Sequence, residues 1–323
     1  MNQAHERGTH LSRVVERRTL CREHYEIVLA LPGFPPVEPG QFIQILCRES
    51  GRSNGAQAPI LRPRPSHSIG SGMLRRPFSV AGLTRLENEC RIEIVGRVVG
   101  PATAWMNALK PGDEVDLLGP LGRAFSIPEK EQDSVLIAGG VGLPPIRWLA
   151  EKLCKHGLKC ESIVGARTRE LLPVRLHEEP RADGQPTFCV EEFSKHSAPS
   201  SVTTDDGSCG LPGQVTSVLE ARLRDLRGPE QLRVFACGPE AMMSAVGVIC
   251  RKRGVPCELA MERVMGCGMG TCQSCVVRVR EETSTLGWRY ALCCTEGPVF
   301  DARVLIGLDA KCAKGGPVNR RAK

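Results

Sequence analysis

Hydrophobic residues follow two different rhythms along this chain, and the change from one to the other divides it. From Ser12 to about Ile127 apolar positions alternate with polar or smaller ones in short runs bounded by turn residues: TLCREHYEIVLALPG, PGQFIQILC, CRIEIVGRVVG and GDEVDLLGPLG. Tyr25, Ile27 and Leu29 keep a two-residue period, as do Ile92, Ile94 and Gly96, which is the period of strands with one buried face. The pattern predicts an antiparallel sheet or small β-barrel. Ala102 to Leu109 is the helical candidate within it. Residues 49–73 (ESGRSNGAQAPILRPRPSHSIGSGM) have no hydrophobic period and are rich in Gly, Ser, Pro and Arg, so a mobile insertion loop is expected there.

At Asp133 the rhythm changes. Val135 to Ala138 is a continuous apolar run, Gly139-Gly140-Val141-Gly142 turns, and Pro144-Pro145 opens a helix with Ile146, Leu149, Ala150 and Leu153 on one face, ending at Gly157. The same strand, turn and helix recur at Leu232 to Ala236, Cys237-Gly238-Pro239 and the segment up to Gly254, with a further strand at Glu161 to Val164. Alternating strands and helices predict a parallel sheet with a ligand at the carboxyl ends of its strands. A glycine turn opening a helix can seat a pyrophosphate on free N–H groups. GGVGLPP is not G-x-G-x-x-G, however, and a tight turn that needs glycine only for packing is the competing reading.

Cysteine spacing adds the third part. Cys267, Cys272 and Cys275 stand as C-x4-C-x2-C, and a distal cysteine at 293 or 294 completes four thiolates, the plant-type ligand pattern of a [2Fe-2S] cluster. Gly266, Gly268 and Gly270 let the backbone wrap closely around an inorganic core. A structural zinc site is the alternative, but zinc ribbons pair two short C-x2-4-C knuckles and the second half here has only adjacent cysteines. The sixteen cysteines are spread over 323 residues and no apolar signal core precedes them in MNQAHERGTH, so thiols and metal ligation are expected in place of disulfides, in a cytoplasmic protein. Cys47, Cys154 and Cys250 read as small core residues. The net charge of +7 is partly in RPRP and the tail NRRAK, and with 4% aromatics there is no stacking platform for nucleic acid. No run approaches a membrane span. His24, His67, His156, His177 and His196 are expected at the surface, and no general acid or base stands out.

Arg76-Pro77-Phe78-Ser79, GGVGLPP and CGPEAMM, in that order, resemble the flavin and nicotinamide sites of the ferredoxin reductase superfamily. TDDGS at Thr204 to Ser208, LPGQVTSVL and the cluster segment ending CTEGPVF narrow the resemblance to the electron-transfer subunits of NAD-dependent dihydroorotate dehydrogenases. It runs from about Ser12 to Leu308. It implies an FAD-binding barrel in 1–130, an NAD-binding α/β domain in 131–258, a small [2Fe-2S] module in 259–310 and a disordered tail in 311–323. Arg76 is implied to pair with the FAD pyrophosphate, Pro77 and Phe78 to flank the cofactor, Ser79 to sit near the flavin N5, and Gly100 and Thr103 to form a second pyrophosphate turn, although Ala102 replaces a common glycine. Gly139, Gly140 and Gly142 fall to the nicotinamide-nucleotide phosphates, and Cys237, Gly238 and Pro239 to the nicotinamide edge. Asp205 and Asp206 favour NAD over NADP, whereas Arg167 and Arg169 pull the other way. The pattern C-x-[DE]-G-P-V-F selects Cys294 as the fourth cluster ligand. The resemblance implies a partner, the dihydroorotate dehydrogenase catalytic subunit of pyrimidine biosynthesis; flavin and iron-sulfur subunits of hydrogenases or of NADH-dependent ferredoxin:NADP reductases carry similar segments.

Overall fold

A computed structural model describes residues 8–47, 74–129 and 132–308. The expected insertion loop at 49–73, His67 and the tail 311–323 lie outside the described residues. The alternating first part folds as β1 (Gly8–Cys21), β2 (His24–Leu31), β3 (Phe42–Ile45), β4 (Arg76–Arg85), β5 (Cys90–Arg97) and, after helix α1 (Pro101–Ala108), β6 (Glu114–Leu121). All neighbours are antiparallel, and they close into a barrel in the order β1-β2-β5-β4-β3-β6. Closure removes the exposed edges that an open sheet would present. Tyr25, Ile27, Leu29, Ile43, Ile45, Ile92 and Ile94 fill the interior, as their period requires. Gly96 keeps that period because Tyr25 lies over it: a Cβ at 96 would sit 2.5 Å from the Tyr25 Oη.

The second part alternates β7 (Asp133–Gly139), α2 (Leu143–Lys155), β8 (Cys160–Ala166), α3 (Glu191–Ser194), β9 (Ser200–Thr204), β10 (Leu211–Pro212), α4 (Val215–Leu223), β11 (Leu232–Cys237), α5 (Glu240–Arg253) and β12 (Cys257–Ala260). Its strands pair in parallel in the order β10-β9-β8-β7-β11-β12. Helix α2 ties this sheet to the barrel. Trp148 is packed into the barrel core, and Arg147 lies 2.7 Å from the buried Glu26 of β2 and 2.6 Å from Glu93 of β5. Lys152 pairs with Glu38 at 2.7 Å.

The C-terminal part is a hairpin of β13 (Val276–Arg280) and β14 (Trp288–Leu292), followed by β15 (Val299–Asp301). The last strand pairs antiparallel with β12 and becomes the seventh strand of the nucleotide-type sheet. A boundary after Glu258 therefore falls inside β12, and the cysteine segment leaves the sheet at Ala260 and returns to it at Val299. Met261, Met265, Cys275, Val277, Cys293 and Phe300 share one apolar core with Val246 and Leu259 of the sheet domain and with Phe42 and Leu121 of the barrel.

Two expectations about single residues are corrected. His24 is buried, not at the surface. The tight β1–β2 turn, with Glu23 at φ 67°, folds it back so that its Nδ1 lies 2.9 Å from the Arg22 carbonyl. Cys154 is exposed: Leu153 takes the inward position on α2, and the next residue is rotated about 100° away from it.

Candidate functional site

The four thiols expected as cluster ligands come together as two pairs. Cys272 donates its N–H to the Cys267 Sγ at 3.3 Å, and Cys267 donates its own to the Cys272 Sγ at 3.4 Å. The Cys275 and Cys294 thiols lie close enough to interact, which raises Cys294. Among the described residues no three His, Cys, Asp or Glu side chains converge as they would on a single metal ion. A four-cysteine [2Fe-2S] core takes two thiolates on each iron, so two adjacent pairs suit it.

The loop around the first pair is shaped to point N–H groups inward. Gly268 (φ +73°), Gly270 (φ +93°) and Gln273 (φ 55°) all take the left-handed conformation. For the two glycines this carries no steric cost. Met269 donates to the Cys267 Sγ at 3.4 Å, and the Gly270 backbone lies against the Cys294 sulfur, an interaction that favours its thiolate. Such bonds favour thiolate over thiol and, on a loaded cluster, raise its potential. Hydrogen bonds from Ser274, followed by those from Cys267, bring Cys272 down to about 6, while burial and then the Cys275 thiol push Cys294 up to about 12. Cys272 is thus ready to bind iron as thiolate, whereas Cys294 must give up its proton to do so.

Hairpin register separates the two candidate fourth ligands. Val276 faces Leu292 across the β13–β14 ladder, and the Cys293 N–H donates to the Cys275 carbonyl at 3.0 Å, which puts Cys293 opposite Cys275. The Cys293 side chain turns into the apolar core with no exposed surface. The next residue, Cys294, is buried in the same core, and its thiol interacts with that of Cys275 and lies within electrostatic reach of Cys267.

On the barrel, Arg76, Pro77, Phe78 and Ser79 open β4 and pair with Ile45, Gln44, Ile43 and Phe42 of β3. Phe78 points into the barrel interior. Neighbouring arginines divide the work. Arg75 is committed to Asp116 at 2.8 Å, whereas Arg76 touches only the carbonyls of Leu74 (3.2 Å) and Arg75 (3.4 Å) and has no carboxylate partner among the described residues. A guanidinium without a counter-charge is suited to a pyrophosphate. Arg76→Ala is expected to weaken FAD binding about 10- to 150-fold, from the ~1.5–3 kcal/mol of a hydrogen bond to a charged group. Arg75→Ala should leave it within about threefold; FAD retention on dialysis, read by flavin fluorescence, measures both.

The Thr103 hydroxyl is already occupied. It accepts N–H bonds from Val99 (2.9 Å) and Gly100 (3.1 Å) and donates to the Gly100 carbonyl at 3.0 Å, so it shapes the start of α1.

In the sheet domain the two glycine turns pack on each other. A Cβ at Gly142 would lie 2.0 Å from the Cys237 carbonyl oxygen, one at Gly139 would lie 2.6 Å from the Met242 sulfur and one at Gly238 would lie 2.5 Å from the Met242 methyl. Gly142 is required by its approach to the Cys237 backbone, whereas at Gly139 and Gly238 the close contact is with the flexible end of Met242. Gly140 differs, with φ +51° and open space where its Cβ would be. It marks the part of the turn that a phosphate can approach. Burial, with Glu262 nearby, pushes the Cys237 thiol up to about 12, so it is a neutral thiol at the end of β11. Pro239 precedes α5 there.

A cleft of about 580 Å³ lies at the ends of β8 and β9, lined by Arg22, Glu23, Arg167, Arg169, Asp206 and Ser208, among others. Asp205 and Asp206 anchor its floor through their N–H bonds to the Ala166 and Arg167 carbonyls, and the Asp206 carboxylate accepts from Ser208. Arg169 is bound by Glu179 at 2.7 and 2.6 Å, an ion pair the sequence did not indicate. Arg167 has no ion pair among the described residues. Gln44, a polar residue within the apolar run FIQI, was also overlooked; its position on the face shared with Phe42 is the available signal.

A family model described as the iron-sulfur cluster binding domain of dihydroorotate dehydrogenase B matches residues 262–306. Among curated relatives, the dihydroorotate dehydrogenase B (NAD(+)) electron transfer subunit of Geobacillus kaustophilus is 32% identical over 292 residues, covering 90% of this chain and 95% of that protein. That of Streptococcus mutans is 30% identical over 295 residues, covering 91% and 96%. Among solved structures, an NADH-dependent reduced ferredoxin-NADP oxidoreductase superposes with a TM-score of 0.70 at 26% identity, covering 92% of this chain and 90% of that one. A cytochrome P450 reductase from Amycolatopsis, at 22% identity and TM-score 0.56 over 77% and 67%, shares the fold. By extent and identity together, the chain belongs to the family of dihydroorotate dehydrogenase B (NAD(+)) electron transfer subunits.

Proposed function

We propose that this chain carries electrons between NAD and the catalytic subunit of a dihydroorotate dehydrogenase, in the cytoplasm, with FAD held by the barrel and a [2Fe-2S] cluster held by Cys267, Cys272, Cys275 and Cys294. Bound FAD supplies the exchange between a hydride and single electrons, and the cluster supplies one-electron transfer. The protein's share is position. The observation that carries the reading is the contact between the cysteine loop and the barrel: Gly268 rests on Gln44 of β3, the residue paired with Pro77 of the R-P-F-S strand. On the other side, the turns of Gly139 to Gly142 and Cys237 to Pro239 are packed together at the carboxyl ends of β7 and β11.

A partner is part of the proposal. The described residues are occupied by the barrel, the parallel sheet and the cysteine hairpin, and an α/β barrel able to oxidise dihydroorotate takes about 250 residues. Cys272 is exposed on the cysteine loop beside Val264 and Met269, both exposed apolar residues, which favours electron exchange with a docked protein at that edge. No helix among the described residues is long and apolar enough to cross a membrane.

Anaerobic purification followed by an absorbance spectrum and iron and flavin analysis tests the cofactors, with about one FAD and two iron atoms per chain expected. Colourless protein with stoichiometric zinc overturns the proposal. For the nucleotide, NADH is expected to be oxidised about tenfold or more faster than NADPH, the ratio that ~1.4 kcal/mol of repulsion supplies. Asp205 and Asp206 repel a 2′-phosphate, and Glu179 withholds Arg169 from one. A preference for NADPH refutes that assignment. The likeness at TM-score 0.70 to a ferredoxin-NADP oxidoreductase favours a second reading, the same relay serving another partner. Co-purification of a dihydroorotate dehydrogenase catalytic subunit separates the two.

A further inference from the structure

Gln44 is a buried amide whose ends are both unpartnered. It has no exposed surface, and neither Nε2 nor Oε1 has a hydrogen-bond partner among the described residues. Buried side-chain amides are nearly always bonded, so an orphan of this kind calls for an acceptor or donor that arrives later. The flanking strands supply none. Across β4 stands Pro77, which has no N–H, and across β6 stands Leu118, whose side chain is apolar. Ile43 and Ile45 take the interior face of β3, so Gln44 points out of the barrel with Phe42.

The group that Gln44 meets on that side is the cysteine loop. A Cβ at Gly268 would lie 2.4 Å from the Gln44 Nε2, 2.7 Å from its Cδ and 3.0 Å from its Cγ. The side chain thus lies flat against the backbone next to Cys267. Glycine is needed there for two independent reasons, the φ of +73° and this contact.

We propose that Gln44 is a positioning residue for the iron-sulfur cluster, its amide N–H donating to sulfur at the Cys267 side and so raising the cluster's reduction potential. This rests on the reading of Cys267, Cys272, Cys275 and Cys294 as ligands. A donor aimed at sulfur stabilises the reduced cluster, which carries one more negative charge, more than the oxidised one. Because the amide comes from the strand paired with R-P-F-S, the flavin-side strand and the cluster potential are coupled through one side chain.

The test uses the purified, cofactor-loaded full chain and redox titration, with the cluster followed by electron paramagnetic resonance and the flavin by absorbance. Gln44→Met keeps the length and removes the donor. It is expected to lower the cluster midpoint by about 60 mV, a tenfold change in a one-electron equilibrium, with iron, FAD and the flavin midpoint unchanged. Gln44→Glu, the same size with acceptors in place of the donor, should lower it further. An unmoved cluster midpoint overturns the proposal, as does a shift confined to the flavin midpoint, which would assign the amide to the flavin. Loss of iron from both variants with FAD retained also overturns it, because a tuning residue leaves loading intact. Wild-type protein with FAD and no iron fails the ligand reading itself, whereas wild-type iron content with an unmoved midpoint fails only the Gln44 assignment.

Discussion

Cys294→Ser is expected to abolish the visible absorbance and the iron content of the cluster, and Cys293→Ser to retain both. The two residues are adjacent and chemically identical, so the difference rests on which thiol meets the other ligands. Cys293 continues the hairpin opposite Cys275 and buries its thiol completely in the core beneath β13 and β14. Cys294 is buried in the same core, but its thiol interacts with that of Cys275 and lies within electrostatic reach of Cys267, whereas that of Cys293 does not reach Cys267. A hydroxyl at 294 removes one of four thiolates from a cage whose partners are spaced in pairs, and serine holds iron weakly at neutral pH because its hydroxyl stays protonated. A hydroxyl at 293 costs only the burial of a polar group, about 1–3 kcal/mol, and leaves the cage complete. Iron analysis and the spectrum of both variants decide the matter. The reverse pattern would falsify the assignment, and loss of the cluster in both would show that Cys293 packing holds the hairpin in register.

What the sequence made legible here was local. The period of two in residues 12–127 and its switch at Asp133 come from neighbours a few positions apart, and they indicate the barrel, the parallel sheet and the starts of α1, α2 and α5, though not α3 or α4. The spacing of Cys267, Cys272 and Cys275 is local too. The joins between these parts were not legible, because they depend on contacts between distant positions. β15 pairs with β12 across some forty residues, so the C-terminal cysteine module is joined to the sheet at both of its ends. Gly142 reads as a phosphate glycine, yet its need for glycine is set by the Cys237 backbone about a hundred residues later, and Gly139 lies against Met242. Only Gly140 faces open space. Arg76 could not be told from Arg75 until Asp116 was seen to occupy the latter. Arg169 is likewise paired, with Glu179, a contact the sequence could not show.

Arg147→Ala is expected to destabilise the protein by about 3 kcal/mol, the lower end of what breaking a buried ion pair costs. Glu26 is 1% exposed and lies between Arg147 of α2 and Arg18 of its own sheet. Its Oε1 depends on Arg147 at 2.7 Å, without hydrogen-bond alignment. Truncation leaves the charge of Glu26 buried with only the half-exposed Arg18 opposite it, which is why the cost stays at the lower end. The pair to Glu93, a third exposed, adds little. Urea unfolding followed by tryptophan fluorescence is suited to the measurement, since Trp148 sits in the same joint. If the cost arises from uncompensated charge and not from lost packing, Arg147→Ala combined with Glu26→Gln should recover more than half of it. A single variant within 0.5 kcal/mol of wild type would mean that Trp148 and the apolar face of α2 hold the domains together without the ion pair. The functional consequence follows from where α2 begins. The Gly140 to Gly142 turn leads directly into Leu143, so whatever fixes α2 on the barrel also fixes that turn, which we propose for the nicotinamide nucleotide, relative to the R-P-F-S strand, and Arg147→Ala should slow flavin reduction by NADH at temperatures where the protein remains folded.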